Sequence, residues 1–203
     1  DLISGANSGA SLRSMPARYL FLDEVDAYPA ELEGEGDPIS LAEARTTTFP
    51  RRKVFLVSTP TIESLSRINK EWLASDQRRY HVPCPHCGHQ QHLTWDNLRW
   101  PKDRPEEAVY HCADCGAGIE EHHKTRLLAA GQWVATYPER PVAGFHINGL
   151  YTPTGLGYTW GELAALWIES SKDPARIKTF VNLRLGEVVA DPNEKIDADD
   201  LAS

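Results

Sequence analysis

Three groups of residues in this chain have the types and spacing that chemistry requires. The first is Asp23-Glu24, set directly after the apolar run Tyr19-Leu-Phe-Leu22. Such a run is too short for a helix and rich in strand formers, so it predicts a central strand buried on both faces. Acids at the carboxyl end of a buried strand lie where open α/β sheets bind ligands. One carboxylate there can hold Mg²⁺, usually through water, and its neighbour can polarise an attacking water. Metal-assisted phosphoryl transfer needs both functions, and this is the Walker B arrangement of nucleotide-hydrolysing motors. The alternative is a strand ending in a solvated acidic turn.

The second group is Ser58-Thr59, which ends another apolar run, Lys53-Val-Phe-Leu-Val57. A hydroxyl pair at the end of a strand beside the acidic one can sense the γ-phosphate of a nucleotide and transmit its loss. The competing role is helix capping. Thr59 or Thr61 suits the cap of a following amphipathic helix, with Ile62, Leu65, Ile68, Trp72 and Leu73 at helical spacing.

The third group is Cys84-Pro-His-Cys87-Gly with Cys112-Ala-Asp-Cys115-Gly, a C-x2-C-x24-C-x2-C pattern that uses every cysteine in the chain. Each Cys-x-x-Cys-Gly is a knuckle whose turn directs two thiolates at one ion, with glycine accepting the unusual backbone angles. Four thiolates form a closed tetrahedral site suited to structural Zn²⁺, with no open position for chemistry. The strand-like stretches Gln91–Trp95 and Ala108–His111 complete a zinc ribbon over 80–118. His86, His89 and His92 read as surface residues rather than ligands.

The elements that must position these groups alternate strand, helix, strand, helix over residues 1–79. This order predicts a parallel sheet with crossover helices, with both polar strand ends on one edge. Asp37-Pro38 reads as an N-cap followed by proline at N1, opening a helix to about Thr47. After the ribbon, 119–189 reads as an α/β-to-helical segment. It holds a helix over Glu120–Ala130 stopped by Gly131, a strand at Gln132–Ala135, and a strand then a Pro/Gly loop in 141–151. A capping box at Thr159-Trp-Gly-Glu162 comes next, then a helix from Asp173-Pro174 with Ile177, Phe180, Val181 and Leu185 inward and Gly186 as its stop. Residues 190–203, with Asp191, Asp197, Asp199 and Asp200, read as an acidic linker.

Composition narrows the field. The net charge of −8 argues against a broad basic surface for nucleic acid, leaving only local clusters at Arg51-Arg52-Lys53, Arg78-Arg79 and Arg176/Lys178. No apolar run reaches membrane-spanning length. Paired Cys-x-x-Cys motifs point to a metal site in a reducing compartment rather than disulfides. Gly5-Ala-Asn-Ser-Gly9 lacks the Gly-Lys-Ser/Thr ending of a phosphate loop, and Arg13 is placed to reach a phosphate, DNA or a structural acid partner.

Several stretches in succession carry a family resemblance. They are Asn7-Ser8 with Ser11-Leu-Arg-Ser14, Arg18 to Pro29, Ser58-Thr-Pro-Thr61, Tyr80 to Gly88, Cys112 to Gly116, and Gly144 to Pro153. In this order they resemble the large terminase subunit of tailed bacteriophages, in the lambda-type GpA family of DNA-packaging motors. The resemblance implies part of a P-loop NTPase with an inserted four-cysteine zinc ribbon and a helical C-terminal segment. It implies Asp23 as the magnesium ligand, Glu24 as the base orienting water, and Ser58 and Thr59 as the motif coupling ATP hydrolysis to movement of double-stranded DNA. It further implies a Walker A loop before Asp1 and a nuclease domain after Ser203, so that the chain is expected to be a fragment inactive by itself. The implied partners are DNA, a small terminase subunit and a portal protein, with a homo-oligomeric ring in the host cytoplasm and no membrane. A superfamily 2 helicase and a non-enzymatic zinc-ribbon module are the alternative readings.

Overall fold

The computed structural model describes residues 16–32, 34 and 36–190. Asn7, Ser8, Arg13 and the acids from Asp191 onward, which the motifs singled out, lie outside them.

Strands β1 (Tyr19–Asp23) and β2 (Lys53–Val57) pair in parallel, with Asp23 opposite Val57. The chain between them includes helix α1 (Pro38–Glu43), where Asp37 accepts a hydrogen bond from the Ser40 N–H at 2.9 Å and Pro38 occupies the first turn. Side chains alternate across a strand, so Leu20, Leu22 and Leu56 turn to a small core with Val25, Leu32, Ile39 and Ala42. The opposite face carries Tyr19, Phe21, Phe55 and Val57, all exposed, with Phe21 at 74%. The expectation of a strand buried on both faces is therefore corrected. Among the described residues the pair is covered on one side only, because the single short α-helix between the strands reaches just one face.

A second correction concerns the segment after β2. Helix α2 (Arg67–Ala74) is capped by Ser66, whose hydroxyl accepts from the Asn69 N–H, rather than by Thr59 or Thr61. Ile62 instead forms a parallel bridge to Val189, and Leu65 is exposed.

Strand β3 (Arg78–Pro83) is the spine of the rest. On one edge it pairs with β8 (Gln132–Ala135), and on the other with β9 (Phe145–His146) and β4 (Gln90–His92). Strands β5 (Leu98–Arg99), β6 (Val109–His111) and β7 (Gly118–Ile119) form a separate antiparallel sheet. Helices α3 (Lys124–Ala129), α4 (Trp160–Ser170) and α5 (Pro174–Phe180), with a wider turn at Val181–Leu185, complete the chain. The Thr159–Glu162 capping box, the Asp173-Pro174 start and the left-handed Gly186 stop (φ 63°) all stand where the sequence puts them. Gly131 stands just past the Ala130 cap of α3, where the sequence puts it, and a Cβ there would also collide with the Tyr80 ring.

One apolar cluster runs from Val82, Leu93 and Leu98 through Tyr110 and Ile119 to Leu150, Trp160 and Leu163. Trp95 packs on Phe180 and Trp167 at ring separations of 4.9 and 5.6 Å, tying the cysteine-bearing region to α4 and α5. Lys124 is buried inside this joint. Its ammonium lies 2.6 Å from a Glu121 oxygen and 5.1 Å from the centre of the Trp160 ring, so its charge is compensated twice.

Asp76 joins α2 to the spine. Its side chain accepts from the Gly144 N–H at 3.0 Å and pairs with Arg78 at 2.7 Å. Burial pushes its carboxyl up, but these donors outweigh burial and hold it below the ordinary value of 3.8. A depressed folded pKa gives stability that is present above the unfolded value and lost as pH falls through the folded one. Asp76→Asn is expected to cost about 2 kcal/mol near neutrality. In denaturant titrations across the acid range, that difference from the native chain shrinks as pH falls below the ordinary carboxylate value.

Candidate functional site

The parallel register of β1 and β2 puts Asp23-Glu24 and Ser58-Thr59 on the same rim of the pair. The Asp23 Oδ1 accepts from the Glu24 N–H at 3.1 Å, and both residues are solvent-exposed. Glu24 adopts the left-handed conformation (φ 54°, ψ 46°), which a non-glycine residue takes only when its surroundings impose it. The turn Val25–Ala27 comes next, and the Asp26 N–H donates to Ser58 Oγ at 3.1 Å, joining the turn after the acidic pair to the hydroxyl pair. Ser58 Oγ in turn donates to the Thr59 carbonyl. Burial raises the pKa of the Tyr28 phenol, and the Asp23 charge adds to that rise.

Two residues that no motif flagged hold this turn. The Asp26 carboxylate accepts from the Thr61 N–H and hydroxyl, both at 3.1 Å, and from the Ile68 N–H at 2.8 Å in the first turn of α2. Its charge thereby complements the positive end of the helix dipole. Arg67 donates to the carbonyls of Val25, Tyr28 and Pro29, at 3.4, 3.2 and 2.7 Å, and lies 3.4 Å from an Asp37 carboxylate oxygen. The nearest signal in the sequence is the acid-rich Asp-Glu-Val-Asp itself; nothing in its spacing indicates which acid faces inward.

The second site is the cysteine cluster. The four Sγ atoms lie within 4.8 Å of one another, with Cys84–Cys115 at 3.9 Å and Cys87–Cys112 at 3.8 Å. A tetrahedral ion with thiolates about 2.3 Å away has an edge of about 3.8 Å, so the donor set fits one such ion. The two knuckles repeat one geometry. The Cys84 N–H donates to the His89 carbonyl and the Gly88 N–H to that of Cys84, while the Cys112 N–H donates to Ala117 and the Gly116 N–H to Cys112. Gly88 and Gly116 have φ of 78° and 70°. Gln91 bridges the knuckles, its Oε1 accepting from the Ala113 N–H at 2.8 Å.

The protons of this cluster are unevenly held. Burial opposes ionisation of Cys112, but the backbone N–H groups of Cys115 and Asp114 and the neighbouring thiols bring it down to about 6. Cys87 receives a favourable bond from the His89 N–H, yet burial and its three thiol neighbours push it up to about 12. The four cysteines could together hold one metal ion. His86 and His89 are exposed, as expected of surface residues, with a His86 ring nitrogen bonded to the Gly118 carbonyl. His92 departs from that expectation. It packs tilted against His81, and burial, then the charges of Arg79, His81 and His146, holds its pKa down.

A cleft of about 720 Å³ is lined by β2, α2 and the 142–149 and 182–188 segments. Phe55, Val57, Trp72, Arg79, His146 and Glu187 are among its walls.

The described residues thus set an acidic strand end, a hydroxyl strand end beside it and a four-cysteine cluster in a mixed α/β chain. Residues 2–133 match the family "Phage terminase large subunit gpA, ATPase domain" and residues 142–203 match "Terminase large subunit gpA, endonuclease domain". The chain belongs to the terminase large subunit gpA family. It is 29% identical to the terminase large subunit of Enterobacteria phage P21 over 222 aligned positions, covering 95% of this chain and 34% of that protein. It is 27% identical to that of Escherichia phage lambda over 223 positions, covering 98% of this chain and 34% of that one. The chain thus spans about a third of the length of these curated relatives. No solved structure matches. The endonuclease match begins at residue 142, inside the stretch 119–189, which corrects the expectation that nuclease sequence starts only after Ser203. Among the described residues no helix is long and apolar enough to cross a membrane.

The three donors on Asp26 bond to a charged acceptor, which makes the stronger kind of hydrogen bond. Asp26→Ala is expected to destabilise the chain by about 2–4 kcal/mol in urea denaturation. Asp26→Asn, which keeps one acceptor oxygen, should cost less than half as much.

Proposed function

We propose that this chain is part of an ATP-driven motor that packages double-stranded viral DNA into procapsids. In this reading residues 1–79 supply the second half of a P-loop ATPase core, and 80–118 form a zinc ribbon. A single observation carries the reading: in a chain of this family, two carboxylates and two hydroxyls crown adjacent parallel strands and are bonded through Asp26 and Ser58. The parent large subunit would bring the phosphate loop and the rest of an endonuclease. It would work as a ring on a portal protein with a small subunit, in the host cytoplasm.

Asp23 suits a magnesium ion held through water. Its carboxylate is exposed, and one oxygen is fixed by the Glu24 N–H. The ion would supply charge neutralisation at the phosphates. Glu24, held at the strand end by its left-handed backbone, would orient water and accept its proton. Ser58 and Thr59 would register loss of the γ-phosphate, since movement of Ser58 Oγ draws directly on the Asp26 N–H. In the full-length large subunit, Glu24→Gln is expected to keep ATP binding while lowering hydrolysis about 10²–10⁴-fold. Nucleotide-binding titration beside steady-state turnover checks this, and unchanged turnover would remove Glu24 from the role.

The four cysteines would hold structural Zn²⁺. Elemental analysis should give one zinc per chain, lost in Cys112→Ser. Chelation should lower the melting temperature by roughly 10 °C or more, each kcal/mol being about 2–4 °C for a chain this size. Protein isolated without zinc and equally stable would refute the assignment.

A further inference from the structure

We propose that Asp26, Thr61 and Asn182 form a mechanical link that passes the state of the acidic turn to the C-terminal segment 181–189. The inference rests on the ATPase reading above and extends it to a part of the chain that matches the endonuclease domain.

Thr61 is the centre of the link. On one side its N–H and hydroxyl both donate to the Asp26 carboxylate. On the other its carbonyl accepts from Asn182 Nδ2 at 2.9 Å and from the Val189 N–H at 3.3 Å. The Val189 carbonyl returns the pairing by accepting from the Glu63 N–H at 3.2 Å. Asn182 is buried at 8% exposure, and its Nδ2 also donates to the Glu187 carbonyl at 2.8 Å, closing the loop that Gly186 turns. One amide group therefore fastens the Val181–Glu187 loop onto Thr61.

The surroundings make this link a transmitter. β2 and the 182–188 segment both line the cleft, and the bonds from Thr61 to Asn182 and Val189 tie the chain just after β2 to that segment. Ser58 Oγ holds the Asp26 N–H, so a shift of Ser58 moves the turn that carries the Asp26 carboxylate. That carboxylate pulls on Thr61, and Thr61 pulls on Asn182 and Val189. Because each hydrogen bond has a narrow range of length and angle, a displacement at one end must either move the other end or break a bond. Asn182 is a positioning residue in this scheme: it touches no reacting group and acts through Thr61.

The test uses the full-length large subunit with Asn182→Leu, which keeps the side-chain size and removes the donor. ATP turnover should stay within about twofold of the native enzyme, while the length of DNA translocated per ATP should fall about tenfold, within the usual range of coupling between sites. Hydrogen exchange over 181–189 should lose its difference between the ADP-bound and ATP-analogue-bound forms. Unchanged translocation per ATP, or turnover and translocation falling in equal proportion with a lowered melting temperature, overturns the link.

A second variant separates this proposal from the reading beneath it. In nucleotide-free protein, Asp26→Asn should raise exchange at the Val189 and Glu63 amides about tenfold, the size of one weakened coupling, whether or not the chain hydrolyses ATP. No change there overturns the link by itself. Native turnover in Glu24→Gln overturns the ATPase reading and leaves that exchange result to decide the link.

Discussion

The Asp26 carboxylate is the constraint on which the arrangement of the acidic rim depends. It sits in a short turn just past β1, and it collects donors from two later parts of the chain: Thr61 and the start of α2. With Arg67 drawing in the carbonyls of Val25, Tyr28 and Pro29, the turn is held by its acceptors from one side and by its acid from the other. This double hold accounts for Glu24. A left-handed glutamate costs on the order of 1 kcal/mol or more, and such a conformation persists only where its neighbours over-determine it. Here residues 25–29 are fixed by bonds from residues 58–68, leaving Glu24 no freedom to relax. Asp23 and Glu24 are then exposed on a rigid base, which suits groups that must meet a ligand rather than each other.

The cysteine cluster reaches further than the surface it partly occupies. Cys84 and Cys112 are buried in the same apolar cluster as Tyr110 and Trp160, whereas Cys87 and Cys115 are exposed. An ion held by all four would fasten the β3–β4 and β6–β7 hairpins where neither has enough apolar side chain to hold itself. The consequence extends beyond the hairpins. Tyr110 packs on Trp160 at the start of α4, and Trp95 on Phe180 at the end of α5. The helices of the C-terminal half are thus seated on the cysteine-bearing region, and that region on β3, the strand that also bears Asp76's partner Arg78.

How much of this was legible in the sequence depends on the range of each interaction. The knuckle turns, the Asp37, Thr159 and Asp173 caps, the Gly186 stop and the parallel order of β1 and β2 rest on residues within a few positions of each other, or on strand–helix alternation, and the structure bears them out. Sequence and structure part where a partner lies far along the chain. Thr61 has the chemistry of a helix cap, yet its hydroxyl is taken by Asp26, 35 residues earlier, so the cap passes to Ser66. Nothing in the sequence marks Asn182, because the carbonyl it serves is 121 residues away. The apolar run of β1 looked wholly buried because composition records what a strand tolerates, whereas coverage depends on which elements reach each face.

That last difference bears on how the rim can work. Among the described residues Tyr19, Phe21, Phe55 and Val57 form an exposed apolar face on the same two strands that end in the acidic and hydroxyl pairs, with Phe21 and Phe55 edge to face at 6.0 Å. Apolar side chains on a strand pair are fixed by packing only on the side where something packs. Here that side is the small core of Leu22, Val25 and Ala42. The rigidity of the rim therefore derives from hydrogen bonds at its end rather than from burial along its length. A site built this way responds to whatever reaches the bonded end, because a few directional contacts at Ser58, Thr61 and Asp26 set its geometry. The same contacts lead on to Asn182 and Val189, so the hydrogen bonds that set the rim also reach the C-terminal segment.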